Sequence, residues 1–141
     1  MTSSCMRVFA ASAFLTLTAH FAARSEMDTR QIPEPLPMMA GAEVPLYPPV
    51  ARVTKAEGVI HVHVSTDGHK VISARADEDL KPLSNAAEEN ARSWTFATHT
   101  PTSFTITYRY RLAAECDPNN PTVILKFPTE VEVCMRYTPI Y

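Results

Sequence analysis

Three histidines and two cysteines are the side chains here with the most chemistry to offer. His61 and His63 stand two apart in a segment that alternates apolar and polar residues, which sets both imidazoles on one face of a strand, and His69 follows across a turn. Two imidazoles on one face begin a zinc or general-base site. A metal centre, however, wants three or four converging ligands, and a hydrolytic site wants a nucleophile, a base and an oxyanion donor. No set of that kind is visible, so the expectation is a non-enzymatic protein with no cofactor and no metal, its strand histidines acting as polar cover. Cys116 and Cys134 lack CxxC spacing and nearby histidines, which argues against zinc. As an even pair in an exported chain they predict a disulfide, and closing a loop of about 19 residues would stabilise the fold by about 3 kcal/mol.

The first 25 residues have the layout of an export signal. Polar residues lead to Arg7, an apolar run follows from Val8 to Ala23, and Ala23-Arg24-Ser25 offers a small-residue cleavage site. The run of about 16 residues covers about 24 Å as a helix, short of a hydrocarbon core of about 30 Å. A cleaved signal peptide and a periplasmic location are therefore expected, with a short inner-membrane anchor facing the periplasm as the alternative. Cys5 precedes the apolar run, the wrong order for lipid attachment. A net charge of −2 without a basic run excludes the electrostatic footprint that nucleic acid requires. Only three glycines occur, at 41, 58 and 68, too scattered for a phosphate-cradling loop.

The elements that must position these residues can be read in order. Residues 26–45 carry Pro33, Pro35, Pro37 and Pro45 and few large apolar side chains, which predicts an extended linker. Tyr47-Pro48-Pro49 opens a short helix running toward Ala56. Val59 to Val64 alternates as a half-buried strand, Thr66-Asp67-Gly68 supplies a hairpin turn, and His69 to Ala76 returns as a second, bulged strand. Leu83, Ala87, Ala91 and Trp94 recur at helical spacing, leaving Glu88, Glu89 and Arg92 for solvent. The cleanest alternation runs from Phe104 through Ile106, Tyr108 and Tyr110 to Leu112, a third strand. Beyond Cys116, Val123–Phe127 and Val131–Met135 predict a final hairpin about Pro128-Thr129-Glu130.

Helix, strand, DG turn, strand, helix, strand is an α+β order: a small antiparallel three-stranded sheet with helices packed on one face, plus a C-terminal β-hairpin. Tyr47-Pro48, Ala51, Glu57-Gly58, Ile60, Val62 and Asp67-Gly68, then Leu83, Ala86, Ala87, Arg92, Trp94 and Phe96, and the strand from Phe104 to Leu112, resemble the C-terminal domain of the TonB family. The likeness covers about residues 46–112, leaving 113–141 as an extension tied by the disulfide. Glu88 and Asn90 depart from it, standing where the family usually has apolar or small residues.

The resemblance implies a periplasmic protein-binding domain that grips an extended peptide of an outer-membrane transporter by strand addition on the last long strand. On this chain the implied partner-binding residues are Tyr47, Phe104, Ile106, Tyr108, Arg109, Tyr110 and Arg111, the two arginines favouring an acidic peptide or standing simply as solvated positions. It also implies inner-membrane motor proteins as partners if the N-terminus is retained; Thr16 and His20 have the spacing of the family's Ser and His anchor pair. A hairpin folded onto the third strand would cover that edge. The other reading is a disulfide-stabilised periplasmic structural or interaction protein with the same fold and no energy transduction.

Overall fold

In the computed structural model, which describes residues 35–126 and 129–137, the two strongest alternating segments pair with each other. β1 is Met39–Gly41, followed by α1 at Pro49–Val53, β2 at Gly58–Thr66 and β3 at Val71–Ala76. α2 spans Leu83–Arg92, β4 Thr95–Phe96, β5 Ser103–Leu112, β6 Thr122–Lys126 and β7 Glu130–Met135. The segment 1–25 expected as an export signal, with Cys5, Thr16 and His20, and residues 26–34 of the expected linker lie outside the described residues.

β2 and β5 run antiparallel with Ile60 opposite Tyr108 and His63 opposite Thr105. Strand pleating then puts Ile60, Val62, Val64, Ile106, Tyr108 and Tyr110 on one face, all buried. β3 folds back from β2 through Gly68, whose φ of 103° lies in the left-handed region; an added Cβ there would stand 2.7 Å from the His99 carbonyl oxygen. The register shifts between Ser65 and Thr66, the bulge the second strand's irregular pattern predicts. α2 covers the apolar face with Leu83, Ala87 and Ala91, and Trp94 follows at its end, 3% exposed. Tyr47 packs edge-on against the Tyr110 ring at 5.4 Å, fixing α1 and its buried Ala51 beside the same core.

The class is α+β, but the sheet is larger than the three strands expected from sequence. Its order is β3-β2-β5-β7-β6, with β7 parallel to β5 and all other pairs antiparallel. The C-terminal hairpin forms as expected and then docks whole, because Val131, Val133 and Met135 continue the apolar face of β5 and are buried there. Residues from 113 onward thus contribute two of the five strands and are no appendage.

The linker reading also needs correcting for residues 35–45. Pro37 and Pro45 are buried, and β1 pairs with β4 in a separate two-stranded sheet. An extended, proline-stiffened segment can satisfy its backbone against a helix end as well as in water. Here Ala97 N–H donates to the Met38 carbonyl at 2.9 Å, Glu43 N–H to Ser93 Oγ at 3.0 Å, and Asn90 Nδ2 to the Glu43 carbonyl at 2.8 Å.

Candidate functional site

Strand addition, which the family resemblance implies, needs a sheet edge with free N–H and C=O groups, so the finish of each edge decides where it could occur. The edge of β5 is closed. Thr107 N–H donates to the Thr129 carbonyl at 2.7 Å and Ala113 N–H to the Met135 carbonyl at 3.0 Å, bracketing the β5–β7 ladder. Cys116 and Cys134 form the expected disulfide, with Cα atoms 5.9 Å apart, which ties the chain leaving β5 to β7. The grip on the last long strand that the family resemblance implies is therefore unavailable: a strand of this chain already lies where the peptide would.

Side-chain placement corrects the expected binding residues in the same sense. Ile106, Tyr108 and Tyr110 face the core, Tyr47 is 5% exposed, and Phe104 is half-buried against the Phe96 ring at 5.7 Å. Arg109 and Arg111 do point to the helix-free face, yet β7 answers them. Arg109 lies 3.7 Å from Glu130, and Arg111 lies 3.1 Å from Glu132 and 2.7 Å from Glu115. The Arg111 guanidinium holds the Glu115 carboxyl below its ordinary range. Their charge is matched by carboxylates of this same chain, on β7 and just after β5, which removes the reason to assign them an acidic peptide.

The β3 edge is partly covered by side chains of α2. Two of the outward-facing groups there are met: the Ala74 carbonyl accepts from Arg92 Nη2 at 3.2 Å, and the Ala76 N–H donates to Glu88 Oε1 at 2.9 Å. Arg92 and Glu88 are themselves paired at 3.3 Å one turn apart on α2. At the near end Val71 N–H donates to the Trp94 carbonyl at 3.3 Å. Glu88, read from sequence as solvent-facing, is in fact an edge cap.

The β6 edge is the opposite case. Since residues 129 and 135 of the β7 segment turn their carbonyls to β5, alternation assigns the backbone groups of Glu130, Glu132 and Cys134 to β6, opposite Lys126, Ile124 and Thr122. Val123 and Leu125 then direct their N–H and C=O groups away from the sheet. Ile124 is 45% exposed and Leu125 47%. Among the described residues nothing pairs with these groups, so this short strand combines open backbone groups with aliphatic side chains.

Buried polar groups hold the scaffold beneath these edges. Asn90 Oδ1 accepts from the Tyr108 hydroxyl at 2.8 Å and from Trp94 Nε1 at 3.3 Å, while its Nδ2 binds the Glu43 carbonyl. It joins α2, β5 and the N-terminal segment. The Tyr47 hydroxyl donates to the Ala56 carbonyl at 2.6 Å. Burial raises the pKa of Tyr47, Tyr108 and Tyr110. A raised folded-state value means the neutral ring is favoured in the fold, so this stability is complete below the ordinary tyrosine value of about 10 and declines as pH rises past it. An alkaline titration followed by tyrosinate absorbance and circular dichroism should show these three rings ionising together with unfolding. Their ionisation near pH 10 in a folded protein would contradict the packing.

The strand histidines share one face, as expected, and each is taken by a carboxylate from the turn after β3. His61 Nδ1 meets Glu78 Oε1 at 2.5 Å and His63 Nε2 meets Asp77 Oδ2 at 2.8 Å, with Thr105 Oγ1 on the other His63 nitrogen at 2.9 Å. Burial alone would raise the Glu78 carboxyl, but hydrogen bonds from the His61 ring and from its backbone N–H at 2.7 Å outweigh it and hold the group below the usual range. His69 is exposed in the turn region. No group of three or more metal-binding side chains converges among the described residues, and no helix among them is long and apolar enough to cross a membrane. Comparisons with family models, with curated proteins and with solved structures find no match.

Proposed function

We propose that this protein is an extracytoplasmic protein-binding domain, TonB-like in residues 46–112, that takes an extended segment of an outer-membrane transporter as an added strand on β6. The observation that carries the reading is the contrast among the edges: β5 is filled by β7, β3 is partly capped by Arg92 and Glu88, and on β6 the Val123 and Leu125 backbone groups meet no partner among the described residues. Backbone bonds would supply affinity there, with Ile124 and Leu125 flanking the incoming chain. The disulfide fits an oxidising compartment.

A second reading, an envelope interaction protein with the TonB-like fold but no energy transduction, draws support from the disulfide that holds β7 over the edge a transducer would use. Titrating synthetic peptides from the N-termini of outer-membrane transporters into dilute oxidised protein tests the choice. Saturable binding is expected, weakened about tenfold by Leu125→Pro, which removes one outward N–H and leaves the bonds to β7 in place. No binding at millimolar peptide, about 1 mM, would reject the transporter reading and leave the second one.

A further inference from the structure

The free edge of β6 is symmetric about its own centre. Its sequence is Thr122-Val123-Ile124-Leu125-Lys126, with the two outward-facing residues placed evenly on either side of Ile124. We propose that a second copy of this chain pairs with it, β6 against β6, antiparallel about a two-fold axis through Ile124. In that register Val123 stands opposite the second copy's Leu125, and Leu125 opposite the second copy's Val123. Each of these pairs exchanges two backbone hydrogen bonds, so all four free groups on each edge are satisfied at once. Sliding the strands by two residues toward the N-terminus sets Leu125 opposite Pro121, which has no N–H to give.

Side chains agree with this register on both faces. On the helix-free face the two Ile124 side chains meet at the axis, and each Lys126 stands opposite Thr122, so no like charges oppose one another. Lys126 is in addition accompanied by Glu130 and Glu132 of its own chain, each 3.8 Å away. On the other face Val123 sits across from Leu125 twice over. Ile124 and Leu125, both near half exposed in the single chain, are the residues that pairing covers. Ile72 on β3 is more exposed, at 61%, but Arg92 and Glu88 take the Ala74 carbonyl and the Ala76 N–H of that edge and its register is broken by the bulge, so no unbroken ladder is offered. Joining the two sheets makes one of ten strands with the β6 edges removed.

Five-residue pairing covers much less than a standard interface, so the dimer is weak, with half-association at about 0.1 mM. The dimer rests on edge geometry alone. If the peptide reading above also holds, peptide and second copy compete for the same four groups, and peptide affinity falls as protein concentration rises.

Sedimentation equilibrium of the oxidised chain across about 0.1 mM tests the proposal. The mass should move from one chain to two and no further, and Ile124→Lys, which sets two ammonium groups face to face, should raise the midpoint concentration at least about tenfold. Ile72→Lys should leave it unchanged. Ile124→Cys should form a linked dimer on mild oxidation beyond any formed by the unsubstituted chain, because the residue lies in a closely spaced non-hydrogen-bonded pair. A single-chain mass at every concentration, growth beyond two chains, or a dimer indifferent to Ile124→Lys would each overturn it. Dimerisation without peptide binding would reject the transporter reading alone, and peptide binding by a strict monomer would reject this one alone.

Discussion

Replacing Trp94 with alanine is expected to lower the free energy of unfolding by about 3 to 5 kcal/mol. The ring is 3% exposed and lies tilted against Phe96 with centroids 6.2 Å apart. Its removal empties a large volume between the end of α2 and the sheet, and packed interiors relax only partly into such space. It also leaves Asn90 with one donor fewer, since Trp94 Nε1 and the Tyr108 hydroxyl share its carbonyl oxygen. Urea denaturation of the two proteins measures the difference. A loss under about 1 kcal/mol would mean that the ring does not sit under the sheet as described.

Opening the Cys116–Cys134 bond, by reductant or by the pair Cys116→Ala and Cys134→Ala, is expected to cost about 3 kcal/mol. The bond closes a loop with a sequence separation of 18 residues that contains all of β6 and most of β7. Without it the unfolded chain gains the freedom of that loop, and the β6–β7 hairpin is held to β5 only by its ladder and by Val131, Val133 and Met135. The effect should therefore be uneven. Amides of β5 that face β7 should lose protection in the opened form before those that face β2. Equal stability with and without reductant would show that the bond does not constrain the chain leaving β5.

Much of the central fold is legible in the residues, and the reason is periodicity. β2 and β5 alternate cleanly, α2 repeats Leu83, Ala87 and Ala91 at helical spacing, and Gly68 sits where only a left-handed residue fits. The C-terminal hairpin is legible as a hairpin for the same reason. Its docking parallel to β5 is not, because local alternation states which face is apolar and says nothing about which strand lies alongside. That one tertiary choice moves the candidate site from β5 to β6.

Asn90 and Glu88 show a different limit. Against the family pattern they look like departures, and Glu88 reads as one more solvated charge. Yet Asn90 falls three residues after Ala87 and seven after Leu83, on the buried stripe of α2. A polar side chain there must find partners, and it finds three. That signal was present in the spacing. Glu88 carried none, because its partner is the Ala76 backbone N–H, and which backbone groups a sheet leaves unpaired follows from strand order. The proline-rich stretch before α1 is illegible for a related reason: extended backbone carries no periodic mark of what it lies against.

Which sheet edge is free decides where a strand can be added, and amide hydrogen exchange of the dilute oxidised protein addresses that directly. Arg109 and Arg111 N–H groups should exchange slowly, held by β7, while those of Val123 and Leu125 should exchange at the rate of open chain. Fast exchange at Arg109 and Arg111 together with slow exchange at Val123 and Leu125 would contradict it.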